Sequence, residues 1–283
     1  MKIGIVSNGT STQAMDAALQ LQEYLAQRGI TAVQADGYEP SGGDCDPRLR
    51  DCDLVMSLGG DGTTLKAARL LGYSQIPLMS INFGNLGFLS SGAKEGDMFQ
   101  ALDTFLAGDY SISSRATLLA TLVFDDGVRS SFFALNEVLL NRGHQGRILD
   151  FQLSINDNPM MVVRGDGMIT ASATGSTAYA LSAGGPIVAP GHKGMILVPL
   201  APHTLQSRAI VTGPDDQVRI DVLPGTGADI DVLIDGVPVA HELFDQRRLL
   251  RVELRRGPGD VHLVQLGRSN FYQTTAKVFF PKA

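Results

Sequence analysis

The sequence predicts an α/β, Rossmann-like domain over residues 1–110, then a β-sandwich-like domain over 111–264. A C-terminal segment, 265–283, is expected to return to the first domain. Three observations carry this. Apolar strand-like runs alternate with helix-spaced segments in the first part, the pattern of a sheet with crossover helices. Short β-rich runs broken by turn residues fill the second part. After the last of them, FYQTTAKVFF has the length and composition of a short helix.

In the first part, Ile3, Ile5 and Val6 make a short apolar strand. Ala14, Ala18, Leu21 and Leu25 recur at helical spacing across 11–28. Residues 30–35 form a second strand, and a loop rich in Gly, Pro and Asp covers 36–47. DLVMSL (53–58) is a buried strand, followed by GGDGT and a helix over 63–71. IPLMSI (76–81) is a further strand, and Met98, Leu102, Phe105 and Leu106 mark a helix over 95–107. Alternation of this kind implies a parallel, doubly wound sheet.

Past residue 111 the strand runs are 116–124, 131–140, 148–155, 160–164, 195–200, 207–212, 217–223, 229–234 and 248–254. Asn156-Asp157-Asn158-Pro159, Pro224-Gly225 and Asp235-Gly236 punctuate them as turns. Their regular spacing suggests a sandwich or a related layered sheet.

Composition narrows the function classes. The chain has 283 residues, 44% hydrophobic and 18% charged, with net charge -6 and pI near 5.3, so no general basic footprint points to nucleic acid. Arg247, Arg248, Arg251, Arg255 and Arg256 form one basic cluster, read as a solvated strand face. Cys45 and Cys52 are not spaced as C-x-x-C and have no His pair nearby, which disfavours zinc or a disulfide scaffold. MKIGIVSN opens directly as a strand, and no apolar stretch approaches the ~20 residues of a membrane-spanning helix. A cytoplasmic protein without membrane or nucleic-acid partners is expected.

The segment SLGGDGTTLKAARL (57–70) carries the chemistry. It lies after an apolar strand and before a helix, where open α/β sheets bind ligands. Gly59, Gly60 and Gly62 permit close backbone approach, and their N–H groups with the helix N-terminus suit phosphate oxygens. No Gly-Lys-Ser/Thr follows, so this is no Walker A loop. Leu65 occupies the place of the third glycine in G-x-G-x-x-G. A carboxylate, Asp61, stands where those motifs have none. Beside bound phosphate it must bind a metal or take a proton. Phosphoryl transfer from a nucleotide to a hydroxyl needs both a base and Mg²⁺.

Gly-Gly-Asp-Gly followed by Thr or Ser occurs in NAD kinases, in lipid (diacylglycerol and sphingosine) kinases and in phosphofructokinases. Four further blocks separate these: INFGNLGFL (81–89), LNEVLL (135–140), RGDGMITASATGSTAYALSAGGPIV (164–188) and PLAPHTLQSRAIV (199–211). Together, in order and spacing, they resemble the bacterial NAD kinase family from the first strand to about residue 240. Lipid kinases and phosphofructokinases share only the glycine loop.

The residues alone leave alternatives at each block. Asn136-Glu137 is a strand-end polar pair, or a carboxylate accepting both hydroxyls of a ribose beside an amide that binds a base edge or phosphate. Ser or Thr capping explains part of 174–179 but not Tyr179, an aromatic suited to a base pocket. Arg147, Arg164 and Lys66 read equally as exposed cations.

The resemblance implies an ATP-dependent kinase that phosphorylates the 2′-hydroxyl of the adenosine ribose of NAD, with Asp61 as proton acceptor and a divalent ion on the ATP phosphates. It implies nucleotide contacts from Gly60, Gly62, Lys66, Phe88, Asn136, Glu137, Arg147, Arg164, Asp166, Thr177, Ala178, Tyr179, Ser182 and Ala201, and no protein metal ligands. ATP or polyphosphate is the donor, NAD or NADH the acceptor, and a homo-dimer or tetramer the assembly.

The chain departs from the family in three places. Asp235-Gly236-Val237 replaces Asp-Gly-Gln, Ala171-Ser172-Ala173 replaces Ser-Thr-Pro, and Phe271-Tyr272 lacks the following Leu-Arg. Competing readings are a lipid kinase, which leaves 164–182 unexplained, and a non-catalytic dinucleotide-binding regulator, which has no need of Asp61. A serine-hydrolase elbow at Ala180–Gly184 lacks the first glycine. A zinc helix at His241-Glu242 fails because Asp245 stands where the second His belongs.

Overall fold

The computed structural model describes residues 1–35, 42–84, 87–143, 148–203, 207–224, 230–267 and 271–280. The chain divides into two compact units, Met1–Arg115 with Gly259–Ala283, and Ala116–Pro258.

The first unit opens with β1 (Lys2–Ser7), α1 (Thr12–Gln27), β2 (Thr31–Gln34), β3 (Leu54–Gly59), α2 (Asp61–Leu71), β4 (Leu78–Asn82), β5 (Ala93–Lys94), α3 (Met98–Leu106) and β6 (Ser111–Arg115). Strands β2, β1, β3 and β4 lie side by side and run parallel. β3 and β4 are buried along their whole length, which is why they read as unbroken apolar runs. α1 is capped by Ser11, whose side chain accepts the Ala14 N–H, and it buries Ala14, Ala17, Ala18, Leu21 and Leu25. α2 begins two residues before the expected 63, so Asp61 is its first helical residue and Gly60 its N-cap.

The second unit comprises β7 (Leu118–Phe124), β8 (Arg129–Ala134), β9 (Glu137–Arg142), β10 (Leu149–Ile155), β11 (Asn158–Gly165), β12 (Gly167–Ala171), the single turn α4 (Tyr179–Ser182), β13 (Ile196–Leu200), β14 (Ile210–Val211), β15 (Val218–Val222), β16 (Ile230–Ile234), β17 (Val237–Pro238) and β18 (Leu249–Arg256). They form two antiparallel six-stranded sheets, in the orders β11-β10-β15-β18-β7-β8 and β14-β13-β12-β9-β16-β17. β7 alternates buried and half-buried residues along its length, as a strand with one face on a core should. Its buried residues Leu118, Ala120, Leu122 and Phe124 join a core shared with Val138, Leu140, Met168 and Leu197 of the second sheet. The opposite face of that sheet is also covered. Leu139, Ile169, Ala171, Ile196 and Val198 pack there with Ala180, and Val188 lies against this cluster.

Two departures from the expected strand pattern bear on the site. The run 131–140 is not one strand: it breaks at Leu135-Asn136, where the chain passes from one sheet to the other. Residues 167–171, absent from the expected strands, are a fully buried central strand.

The chain then returns to the first unit as β19 (Val261–Gln265) and α5 (Phe271–Phe279). β19 runs parallel to β4 and antiparallel to β6, completing the order β2-β1-β3-β4-β19-β6 with β5 beside β4. The compact units divide after Arg115 and after Pro258, against expected limits at 110 and 264. Neither β6 nor β19 is among the expected strands, and local residues do not report which sheet a strand joins.

Candidate active site

In the first unit the chemistry gathers on Asp61. The N–H of Phe88 donates to its Oδ2 at 2.9 Å and the N–H of Leu89 to its Oδ1 at 3.3 Å. Gly87 completes this cradle, because a Cβ there would collide with the Asp61 carboxylate. Arg115, at the end of β6, is buried and adds a positive charge that favours the ionised carboxylate. Burial outweighs these contributions and raises the Asp61 carboxyl above its usual range. Arg115 itself is pulled down to about 10, chiefly by burial.

The glycines of this loop have different reasons to be glycine. A Cβ at Gly59 would strike the Thr63 side chain, whereas one at Gly60 or Gly62 would meet open space. Packing within the unit gives no cause for glycine at 60 and 62. Lys66 lies five residues beyond Asp61 on α2, about 140° around the helix, so it does not share Asp61's face. Phe88 stacks on Phe279 of α5, with ring centroids 5.4 Å apart, and tilts against Phe271 at 6.1 Å.

In the second unit, Asn136 and Glu137 occupy the passage from β8 to β9, both buried. The Asp235 carboxylate accepts the N–H groups of Leu135, Asn136 and Glu137 at 2.9, 2.7 and 3.0 Å. Glu137 Oε2 is buried without a hydrogen-bond partner. Burial first, and the Asp235 charge second, push the Glu137 carboxyl up to about 7. Ser172 donates through Oγ to the Leu135 carbonyl at 2.5 Å and through its N–H to the Asn136 carbonyl at 2.8 Å. A Cβ at Gly175 would collide with the Asn136 backbone.

Asp166 joins β11 to β12 with both of its backbone polar groups paired. Its N–H donates to Leu200 and its carbonyl accepts from Arg142, each at 2.9 Å. A side chain at Gly165 or Gly167 would strike the backbone of β13 or β9 respectively. The Asp166 carboxylate meets the Arg142 guanidinium at 3.1 Å. Both line a cleft of about 480 Å³ with Asn141, Gly143, Tyr179, Leu200 and Ala201. Tyr179 is 47% exposed, and Ala201 holds φ 41°, an uncommon value outside glycine. Three expected site residues, Asp166, Tyr179 and Ala201, thus share one cleft.

Arg164 is not among the residues lining that cleft; it lies exposed, 3.9 Å from Asp150. Thr177 and Ala178 are half-buried and Ser182 is exposed around α4. Arg147 lies outside the described residues. Within the basic cluster, Arg247 pairs with Asp126, Arg248 with Asp125 and Arg251 with Asp221. Sequence reasoning did not single out Gly87, Arg115, Arg142, Ser172 or Asp235 as site residues. Each acts through a partner distant along the chain.

Among the described residues no three His, Cys, Asp or Glu side chains converge as a metal site. No helix of the described residues is long and apolar enough to cross a membrane.

Comparison with known proteins gives these positions a common frame. The model of the ATP-NAD kinase N-terminal domain matches residues 45–110, and that of the ATP-NAD kinase C-terminal domain matches 135–266. The NAD kinase of Heliobacterium modesticaldum is 36% identical over 277 residues, covering 96% of this chain and 95% of its own. This chain belongs to the NAD kinase family.

The NAD kinase of Azoarcus sp. is likewise 36% identical over 278 residues, covering 95% and 92% of the two chains. Two solved structures share the NAD kinase fold. Yeast NADH kinase complexed with NADH superposes with a TM-score of 0.87 at 20% identity, covering 100% of this chain and 88% of that one. The NAD kinase from Archaeoglobus fulgidus in complex with ATP gives 0.72 at 22% identity, covering 96% of each. As an NAD kinase the protein is a phosphotransferase. The C-terminal match ends at 266, one residue past β19, so the strand that returns to the first sheet is part of the family pattern.

Proposed function

We propose that this NAD kinase transfers the terminal phosphoryl group of ATP to the 2′-hydroxyl of the adenosine ribose of NAD, with Asp61 taking the hydroxyl proton. The observation that carries the reading is the setting of Asp61. It is a half-buried carboxylate, fixed by two backbone N–H groups, on a loop whose Gly60 and Gly62 leave open space. In the reaction the ribose O–H bond breaks and an O–P bond forms. The P–O bond to the leaving ADP breaks, and the proton passes to the Asp61 carboxylate. Such a transition state needs little covalent help, so a held base and a shaped loop account for most of what the protein supplies. The raised proton affinity of Asp61 makes it a better base than an exposed aspartate.

Gly60 and Gly62 admit the phosphates, the α2 N-terminus favours their charge, and Mg²⁺ enters with ATP. Asn136 and Glu137 supply an amide and a carboxylate for the dinucleotide, and Tyr179, Asp166 and Ala201 line its cleft. Thr177, Ala178 and Ser182 flank it, Phe88 supports the Asp61 cradle, and Arg164, Arg147 and Lys66 are secondary charge contacts. ATP as donor is supported by the family description and by the ATP complex of the Archaeoglobus fulgidus protein. A cytoplasmic homo-oligomer rests on the family resemblance, and light scattering measures its size.

The test supplies NAD with MgATP, and separately with polyphosphate, and reads the product with an NADP-specific dehydrogenase. NADP formed from MgATP is expected. A phosphorylated product that this dehydrogenase does not reduce would contradict the 2′ assignment.

A further inference from the structure

The passage from β8 to β9 has an unusual hydrogen-bond account. Every backbone polar group of Leu135, Asn136 and Glu137 is bound by one of two residues remote in sequence. Asp235 takes all three N–H groups through its carboxylate and gives its own N–H to the Glu137 carbonyl at 2.9 Å. Ser172 takes the other two carbonyls, of Leu135 and Asn136. Buried peptide groups must be paired, and a chain leaving one sheet for another has no ladder to pair them. Asp235 reaches this position because Asp235-Gly236 is a two-residue hairpin turn. The φ values are 47° and 76°, and Ile234 pairs with Val237 across it.

The side chains carried on this clamped segment contrast with its backbone. Glu137 is 7% exposed and its Oε2 has no partner. An acceptor held rigidly and left unsatisfied is prepared to receive donors from a ligand.

We propose that Asp235 is a positioning residue of the dinucleotide site, which fixes the Leu135–Glu137 backbone so that Asn136 and Glu137 present their side chains to the nucleotide. This rests on the reading of Asn136 and Glu137 as nucleotide contacts. Asp235 has a second effect, through charge. It is the charged group that raises the proton affinity of Glu137 beyond what burial does. Glu137 must be ionised to accept two ribose hydroxyls, so the neighbouring charge raises the pH below which the acceptor is lost.

The test is Asp235→Asn in the full chain, with steady-state kinetics from pH 5.5 to 9. The amide keeps the shape but replaces one acceptor oxygen with a donor. The Michaelis constant for NAD should rise about tenfold or more, with kcat within about threefold. The acid limb of kcat/KM for NAD should move to lower pH, because the charge beside Glu137 is gone. An unchanged Michaelis constant would overturn the proposal. A raised constant with an unmoved acid limb would also overturn it, leaving Asp235 a merely structural residue. Should that variant not fold, Gly236→Ala strains the turn while keeping the charge. It should raise the Michaelis constant for NAD and leave the acid limb in place, and an unchanged constant would again count against the proposal. Glu137→Ala separates the two readings. If it leaves NAD affinity intact, the nucleotide assignment of Glu137 fails. If it weakens NAD binding and Asp235→Asn does not, only the role of Asp235 fails.

Discussion

The Asp61 carboxylate accepts the backbone N–H of Phe88, 27 residues later in the chain, at 2.9 Å. This bond makes one device of the glycine loop and the NFGNLGFL segment. The first brings the carboxylate and the second aims it. Asp61 also sits in the first turn of α2, where the helix dipole favours negative charge.

Gly87 is the point at which that device is easiest to damage. A methyl group there collides with the Asp61 carboxylate, so Gly87→Ala should lower kcat by at least about tenfold as the base is displaced. Gly60→Ala meets open space and should leave the melting temperature unchanged while raising the Michaelis constant for MgATP. Thermal melts and steady-state kinetics of the two variants check this contrast. Equal kinetics for both would contradict it.

Arg115 is the nearby charge that favours ionised Asp61. Arg115→Met should raise the Asp61 carboxyl further, since burial then acts with less opposition. The acid limb of the kcat profile, taken at saturating NAD with Glu137 already engaged, should move to higher pH, and Arg115→Lys should restore most of it. A profile that does not move in Arg115→Met would rule out this role for Arg115.

Glu137 links the site to stability. Its folded carboxyl stands at about 7, against an ordinary value of 4.5. A raised carboxyl favours the fold below about pH 4.5, and that contribution is lost as pH rises through about 7. The full loss is of the order of 3 kcal/mol, from about 1.4 kcal/mol per unit. Glu137→Gln keeps the shape without the charge. Its melting temperature should exceed that of the unsubstituted protein by more at pH 8 than at pH 5. A difference that does not change with pH would show that the folded Glu137 carboxyl is not raised above its ordinary value.

Much of the first unit was legible because buried parallel strands read as apolar runs, as LVMSLG does, and because glycines bracket Asp61. The break between β8 and β9 was not legible, since no Gly or Pro interrupts the apolar run at Leu135-Asn136. β12 was hidden for a different reason: Gly165 before it and Gly167 at its first position resemble turn residues, though a Cβ at either would strike a neighbouring backbone. The dinucleotide residues were named by family resemblance rather than by chemistry visible in the sequence. What supports Asn136 and Glu137, the Asp235 clamp, spans 98 to 100 residues and leaves only a turn signal. Arg115 and Arg142 gave no local signal, because an arginine at a strand end is also an ordinary surface residue.

The central claim is tested most directly by NADP formation in Asp61→Asn, with NAD binding measured on the same preparation. The amide can still accept an N–H from Phe88 or Leu89 but cannot take the hydroxyl proton. NAD should bind with affinity within a few-fold, while kcat falls by about two to four orders of magnitude. A kcat within about tenfold of the unsubstituted enzyme would contradict the assignment of Asp61 as the base.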